Sequence, residues 1–125
     1  MDNEWVWYFL PEGLEEYFGI ENINKTEEIF KITLIEKNTV PLNLPDEYQS
    51  RKITNNVIKE ITITSFPIRG RKCEIVLRRR YWKFEGIEKM YCRDILKNVC
   101  HEGSKLDKEF AVFLKELYRK QSSID

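Results

Sequence analysis

Between Phe66 and Gly86 the chain reads FPIRGRKCEIVLRRRYWKFEG, a Gly-containing turn followed by β-branched and aromatic residues interleaved with seven Lys or Arg side chains. The preceding KEITITSF run places Ile61 and Ile63 on one face, the period-2 alternation of a half-buried strand. An antiparallel pair joined at PIRGRK therefore follows, with the second strand running through Cys73–Phe84. In that strand Ile75, Leu77 and Tyr81 share one parity, whereas Arg78, Arg80, Trp82 and Phe84 share the other. One face is core-like and the other basic and aromatic.

Charge is distributed unevenly around this hairpin. From Arg69 to Arg93 there are nine basic and three acidic residues, a formal +6, although the 21 Lys+Arg and 21 Asp+Glu of the whole chain cancel. Met1 to Glu28 holds eight acids and only Lys25. A basic segment on a neutral protein suggests a polyanionic partner, nucleic acid first among them; the acidic end is either ordinary solvated charge or a surface that docks elsewhere or screens the basic hairpin.

With 125 residues, 42% of them hydrophobic, the chain fits one modest core, and no apolar run approaches membrane-spanning length. The start MDNEWVWYFLPEGLEE carries acid where a signal peptide needs basic residues, so a cytoplasmic protein with no membrane partner is expected. Cys73, Cys92 and Cys100 are an odd, irregularly spaced set, which predicts reduced thiols rather than a disulfide framework.

Along the chain, Glu4–Leu10 is aromatic and ends at Pro11, and Gly13–Phe18 suits a short helical turn. Ile29–Asn38 alternates Phe30, Ile32 and Leu34 against Lys31 and Thr33 as a strand does. Residues 38–51, with Pro41, Pro45 and the DEYQS run, read as a loop. Ile87–Cys100 fits either a short strand near Met90–Ile95 or a helix. Ser104-Lys105-Leu106-Asp107 matches a capping box, and Leu106, Phe110, Phe113, Leu114, Leu117 and Tyr118 then recur at helical spacing.

The expected fold is α+β: a small antiparallel sheet of Phe30–Ile35, Glu60–Ser65 and Cys73–Lys83 with a basic hairpin, covered by the C-terminal helix. Residues 1–103 form a β-rich recognition domain on this reading. Residues 104–125 form a helix and tail packed on it or leading to a partner.

LPEGLEEYF (Leu10–Phe18), IFKITLIEKN, the hairpin segment and GSKLDKEFAVFLKEL (Gly103–Leu117) resemble, over most of the chain, the N-terminal region protein of ISAon-type insertion-sequence transposases. The resemblance implies a non-catalytic, DNA-recognising polypeptide acting on transposon ends, with the catalytic acidic-triad nuclease encoded in a second reading frame. The order of elements also resembles a wider transposase family whose N-terminal domain is a zinc ribbon. The present sequence departs from that pattern, because Val40–Lys52 contains neither Cys nor His.

A tetrahedral zinc site needs four thiolate or imidazole ligands, usually with close Cys pairs. Cys73, Cys92, Cys100 and His101 are the available ligands and contain no such pair, so no metal or other cofactor is expected. His101 is the single histidine, and no phosphate loop, nucleophile elbow or metal-binding His pair occurs. Glu85, Glu88 and Asp94 are read as charge partners of nearby cations. No enzyme and no small-molecule substrate are expected.

The DNA contacts are assigned to Arg69, Arg71 and Lys72 at the turn and to Arg78, Arg79, Arg80, Trp82 and Lys83 along the strand. Arg79 has a second reading, facing inward to meet an acid, and Trp82 and Phe84 have one as core. The alternative function is a protein-interaction module that docks onto the separately encoded catalytic subunit through the helix's apolar face and the acidic N-terminus.

Overall fold

A computed structural model gives the architecture and describes residues 4–93 and 107–122. The longest elements are the two strands of the hairpin, β3 (Ile53–Ile68) and β4 (Arg71–Phe84). They are joined by Arg69 and Gly70, both left-handed at φ 53° and 77°. A two-residue loop with both φ positive has the twist that antiparallel strands need, and Gly70 takes it without steric cost. Pro67 lies where the ladder slips, between Ser65 and Ile68, so its missing N–H breaks no regular pairing.

Two further strands complete the sheet, β1 (Phe18–Lys25) and β2 (Ile29–Glu36), in the order β1-β2-β4-β3. The α+β class, the basic hairpin and the three expected strands are present. One detail differs from the antiparallel expectation: β2 runs parallel to β4, with Ile32 beside Ile75 and Leu34 beside Leu77. The cause is the path of residues 37–52. They cross one end of the sheet and leave a slot that β4 fills on its return from the outer strand β3, so the sheet is mixed. Both tight turns, at residues 26–28 and 69–70, consequently lie at the same end, where Lys72 N–H donates to the Glu28 carbonyl at 2.9 Å.

Register between β3 and β4 is continuous from Asn55↔Lys83 to Ser65↔Cys73, so strict alternation holds along β4. Ile75 and Leu77 join Ile32, Leu34 and Ile63 in the main core. Its cover is the N-terminal segment, a 3-10 helix over Glu4–Phe9 and the single turn α1 (Leu14–Tyr17), which contribute Val6, Leu10 and Leu14. Trp82 and Phe84 belong to a second cluster with Tyr48, on the opposite face. Tyr48 comes from a short 3-10 turn, Asp46–Tyr48, inside the expected loop. Where β2 has ended, Tyr91 pairs with Trp82 through both backbone hydrogen bonds, at 2.7 and 2.9 Å. The remainder of the Ile87–Cys100 question lies outside the described residues.

The C-terminal helix α2 spans Lys108–Ser122. Its N-cap is Asp107, whose Oδ1 accepts the amides of Glu109 and Phe110 at 2.8 and 3.3 Å. Asp107 therefore caps the helix from the cap position instead of supplying the third residue of a box begun at Ser104, which lies outside the described residues. The same side chain receives the Ser65 hydroxyl, and its amide donates to the Thr64 carbonyl. Ala111 is buried and Phe66 meets the rings of Phe110 and Phe113, so α2 is held at the end of β3 by its first two turns. No described helix is long and apolar enough to cross a membrane.

Candidate nucleic-acid interface

The cations assigned to DNA divide into two groups. Arg78, Arg79 and Arg80 sit in the middle of β4, where neighbouring strands supply partners. Arg78 donates to both carboxylate oxygens of Glu21 at 2.6 and 2.7 Å and lies 3.5 Å from Glu60, its neighbour across the ladder. The hydrogen bond to Glu21 and that carboxylate's charge raise the Arg78 pKa further above an already high value.

Arg79 falls on the main-core side of the strand and is 8% exposed. Its guanidinium donates to the Arg93 carbonyl at 3.0 Å and to Cys92 Sγ at 3.4 Å, and it lies against the Tyr81 ring. The inward reading holds, but its partners among the described residues are a carbonyl and a sulfur rather than an acid. Arg80 donates from Nε to the Glu36 carbonyl at 2.9 Å and from a terminal nitrogen to Asn56 at 2.9 Å. Glu36 itself is buried, accepting the Arg80 amide at 3.0 Å and the Arg93 guanidinium at 2.5 Å. Arg93 completes the group by donating to the Thr39 carbonyl and covering the Tyr17 ring. A buried carboxylate with a cation and a backbone donor is a compensated charge that ties β2 to β4 and to the chain after it.

Trp82 is 3% exposed and packs within the Tyr48 and Phe84 cluster, so its ring has no face for a base. This corrects its assignment as a DNA contact. Lys83 is exposed, yet it stands 11 residues from Lys72 on the same strand, roughly 36 Å at the rise of an extended chain. The assigned residues therefore form no single surface.

At the turn end, by contrast, cations gather with their charged ends outward. Arg69 is exposed at the hairpin tip, Lys72 is exposed with only a 3.9 Å contact to Glu74, and Arg71 uses Nε to hold the Thr26 carbonyl at 2.8 Å. That hydrogen bond brings the β1–β2 turn alongside the hairpin tip and adds Lys25, which the sequence reading left out. Neither Lys25 nor Arg69 makes a side-chain hydrogen bond or ion pair among the described residues. The signal for Lys25 is available only once β1 is known to lie next to the hairpin's turn.

Beneath these cations is a cleft of about 310 Å³. Lys25, Arg69 and Arg71 form its rim, Trp5, Phe9 and Phe30 its aromatic wall, and among the described residues its lining contains no carboxylate. Trp5 and Phe9 stand edge to face with centroids 6.1 Å apart, and are 49% and 58% exposed.

Of the thiols, Cys73 is buried near Asp107, and burial pushes its pKa up to about 11. Cys92 lies at the guanidinium of Arg79, six residues further along β4 and roughly 20 Å away, so the two cannot share a metal ion. Cys100 and His101 lie outside the described residues. Among the described residues no three His, Cys, Asp or Glu side chains gather as a metal site would require. The chain matches no protein-family model, no curated protein and no solved structure.

Proposed function

We propose that this chain is a non-catalytic DNA-binding module, the N-terminal region of an insertion-sequence transposase, and that it meets DNA with the turn end of its sheet. The carrying observation is the outward cluster of Lys25, Arg69, Arg71 and Lys72 around the two tight turns, set against the arginines at positions 78–80, which are already paired with groups on neighbouring strands or the chain after β4. Phosphates bound there would displace condensed counterions, so affinity would depend steeply on salt. The transposase assignment rests on the sequence resemblance, and a catalytic nuclease in the adjacent reading frame would support it.

The test is fluorescence anisotropy of a labelled duplex over a salt series. A Lys25→Ala, Arg69→Ala, Lys72→Ala triple variant is expected to lower the magnitude of the log–log salt slope by roughly 3 while keeping the native fold. No binding by the natural chain, or a slope the triple variant leaves intact, overturns the proposal.

A second reading has its own observation. Tyr8, Phe66, Phe113, Val112 and Leu117 are all exposed, and Tyr8 and Phe66 line a groove of about 630 Å³ beside the start of α2. Such a surface suits docking onto the catalytic subunit. Binding of that subunit would be insensitive to salt and lost with Phe113→Asp, whereas DNA affinity would not move.

A further inference from the structure

We infer that the cleft between the N-terminal 3-10 helix and the hairpin tip holds one unpaired nucleotide of the bound DNA, its base against Trp5 and Phe9 and its phosphate at Lys25, Arg69 and Arg71. The inference rests on the DNA-binding reading and adds to it a preference for frayed or single-stranded structure. Three features of the cleft lead to it. Among the described residues the rim supplies three cations and no opposing carboxylate, which selects for an anion. The wall is aromatic, and Trp5 and Phe9 keep about half of their surface in water although an apolar core lies directly behind them at Val6 and Ile32. A phosphate alone would have no use for such a wall, whereas a base stacks on it whatever its identity. The volume of about 310 Å³ lies at the small end of ligand pockets, which suits a single planar group and excludes a peptide helix.

Position supports the same occupant. The cleft opens beside Arg69 at the exposed hairpin tip, so a backbone held there passes its mouth. Arg71 is fixed by its hydrogen bond to Thr26, which sets the rim before any ligand arrives. Trp5 lies on the segment that also places Val6 in the core, so the stacking wall is anchored from below.

The experiment titrates the full chain with a blunt duplex and with the same duplex carrying a short single-stranded overhang, following anisotropy and tryptophan fluorescence. The expected result is roughly tenfold tighter binding of the overhang probe, with quenching of tryptophan emission. Trp5→Ala should remove the difference between the probes, Phe9→Ala should reduce it, and Trp5→Phe should retain part of it while abolishing the quench. Circular dichroism confirms that each variant is folded, and Phe9→Ala stands in if Trp5→Ala is not. Equal affinity for the two probes, or a preference that survives both alanine variants, overturns the inference and leaves duplex binding standing. Absence of binding to either probe overturns the DNA-binding reading itself.

Discussion

Two arginine groups on one hairpin have opposite fates. Arg69 and Arg71 flank the tip, where the sheet ends and neither pairs with a carboxylate among the described residues; Arg78, Arg79 and Arg80 lie mid-strand, where β1, β2 and β3 present Glu21, Glu36, Asn56 and Glu60. Local composition does not distinguish them, since both groups are basic residues in the same strand-turn-strand segment. Their depth in the sheet does. A mid-strand cation has strands on both sides whose polar groups lie within reach, and Arg79, which is buried, must find its partners within the fold. A tip cation keeps its water and can exchange it for a ligand.

The largest expected effect comes from the carboxylate that anchors the mid-strand group. Glu36→Gln leaves the Arg93 guanidinium without its counter-charge and should cost about 3–5 kcal/mol of stability by urea denaturation, because one partner of a buried pair is worse than none. A loss below about 1 kcal/mol would show that the buried network is not what holds these arginines, and the contrast with the tip would collapse.

Between the two groups lies Cys73, whose raised pKa gives a sharper probe of burial along β4. Because the folded state disfavours the thiolate, it binds more protons than the unfolded state between pH 9, the ordinary value, and about 11. Stability contributed by the buried thiol is therefore complete below pH 9 and falls as pH rises through that window, by about 2–3 kcal/mol in total. Cys73→Ala should remove this component of the alkaline slope, measured as unfolding free energy against pH. An unchanged slope would mean that the strand opens at this point and that burial does not separate centre from tip.

The smallest stability effects discriminate the groups most directly. Arg80→Ala should cost about 1–3 kcal/mol, by orphaning the Glu36 carbonyl and Asn56, and leave the DNA salt slope unchanged. Arg69→Ala should fall within about 0.5 kcal/mol in stability and reduce the slope by about 1. Reversal of these two outcomes would return the DNA contact to the strand.

Much of the hairpin is legible in the sequence because its determinants are local. Arg69-Gly70 specifies a tight turn, and the alternation of Phe30, Ile32 and Leu34 or of Ile61 and Ile63 specifies strand faces. β1 is not legible, and the reason is a bulge: the ladder slips between Ile20 and Asn22, so that Ile20 and Ile23 both pack on the main core and period-2 alternation is broken. Glu21, the inserted residue, is the one that captures Arg78. Tyr48 is hidden similarly, an aromatic in a polar Pro-flanked run that becomes core only against Phe84 and Tyr91, at centroid distances of 5.0 and 5.4 Å.

The sequence alone determined the α+β class, the hairpin, its parity and the presence of a C-terminal helix, since turn chemistry and hydrophobic period act over a few residues. Only the tertiary structure decided which cations remain available. Arg78 meets Glu21 across 57 positions and Arg80 meets the Glu36 carbonyl across 44, pairings set by strand order. Strand order follows in turn from the path of residues 37–52, which carries β3 to the outer edge and makes β4 a central strand. An arginine's fate in this protein is a property of the strand beside it, and no local pattern encodes that neighbour.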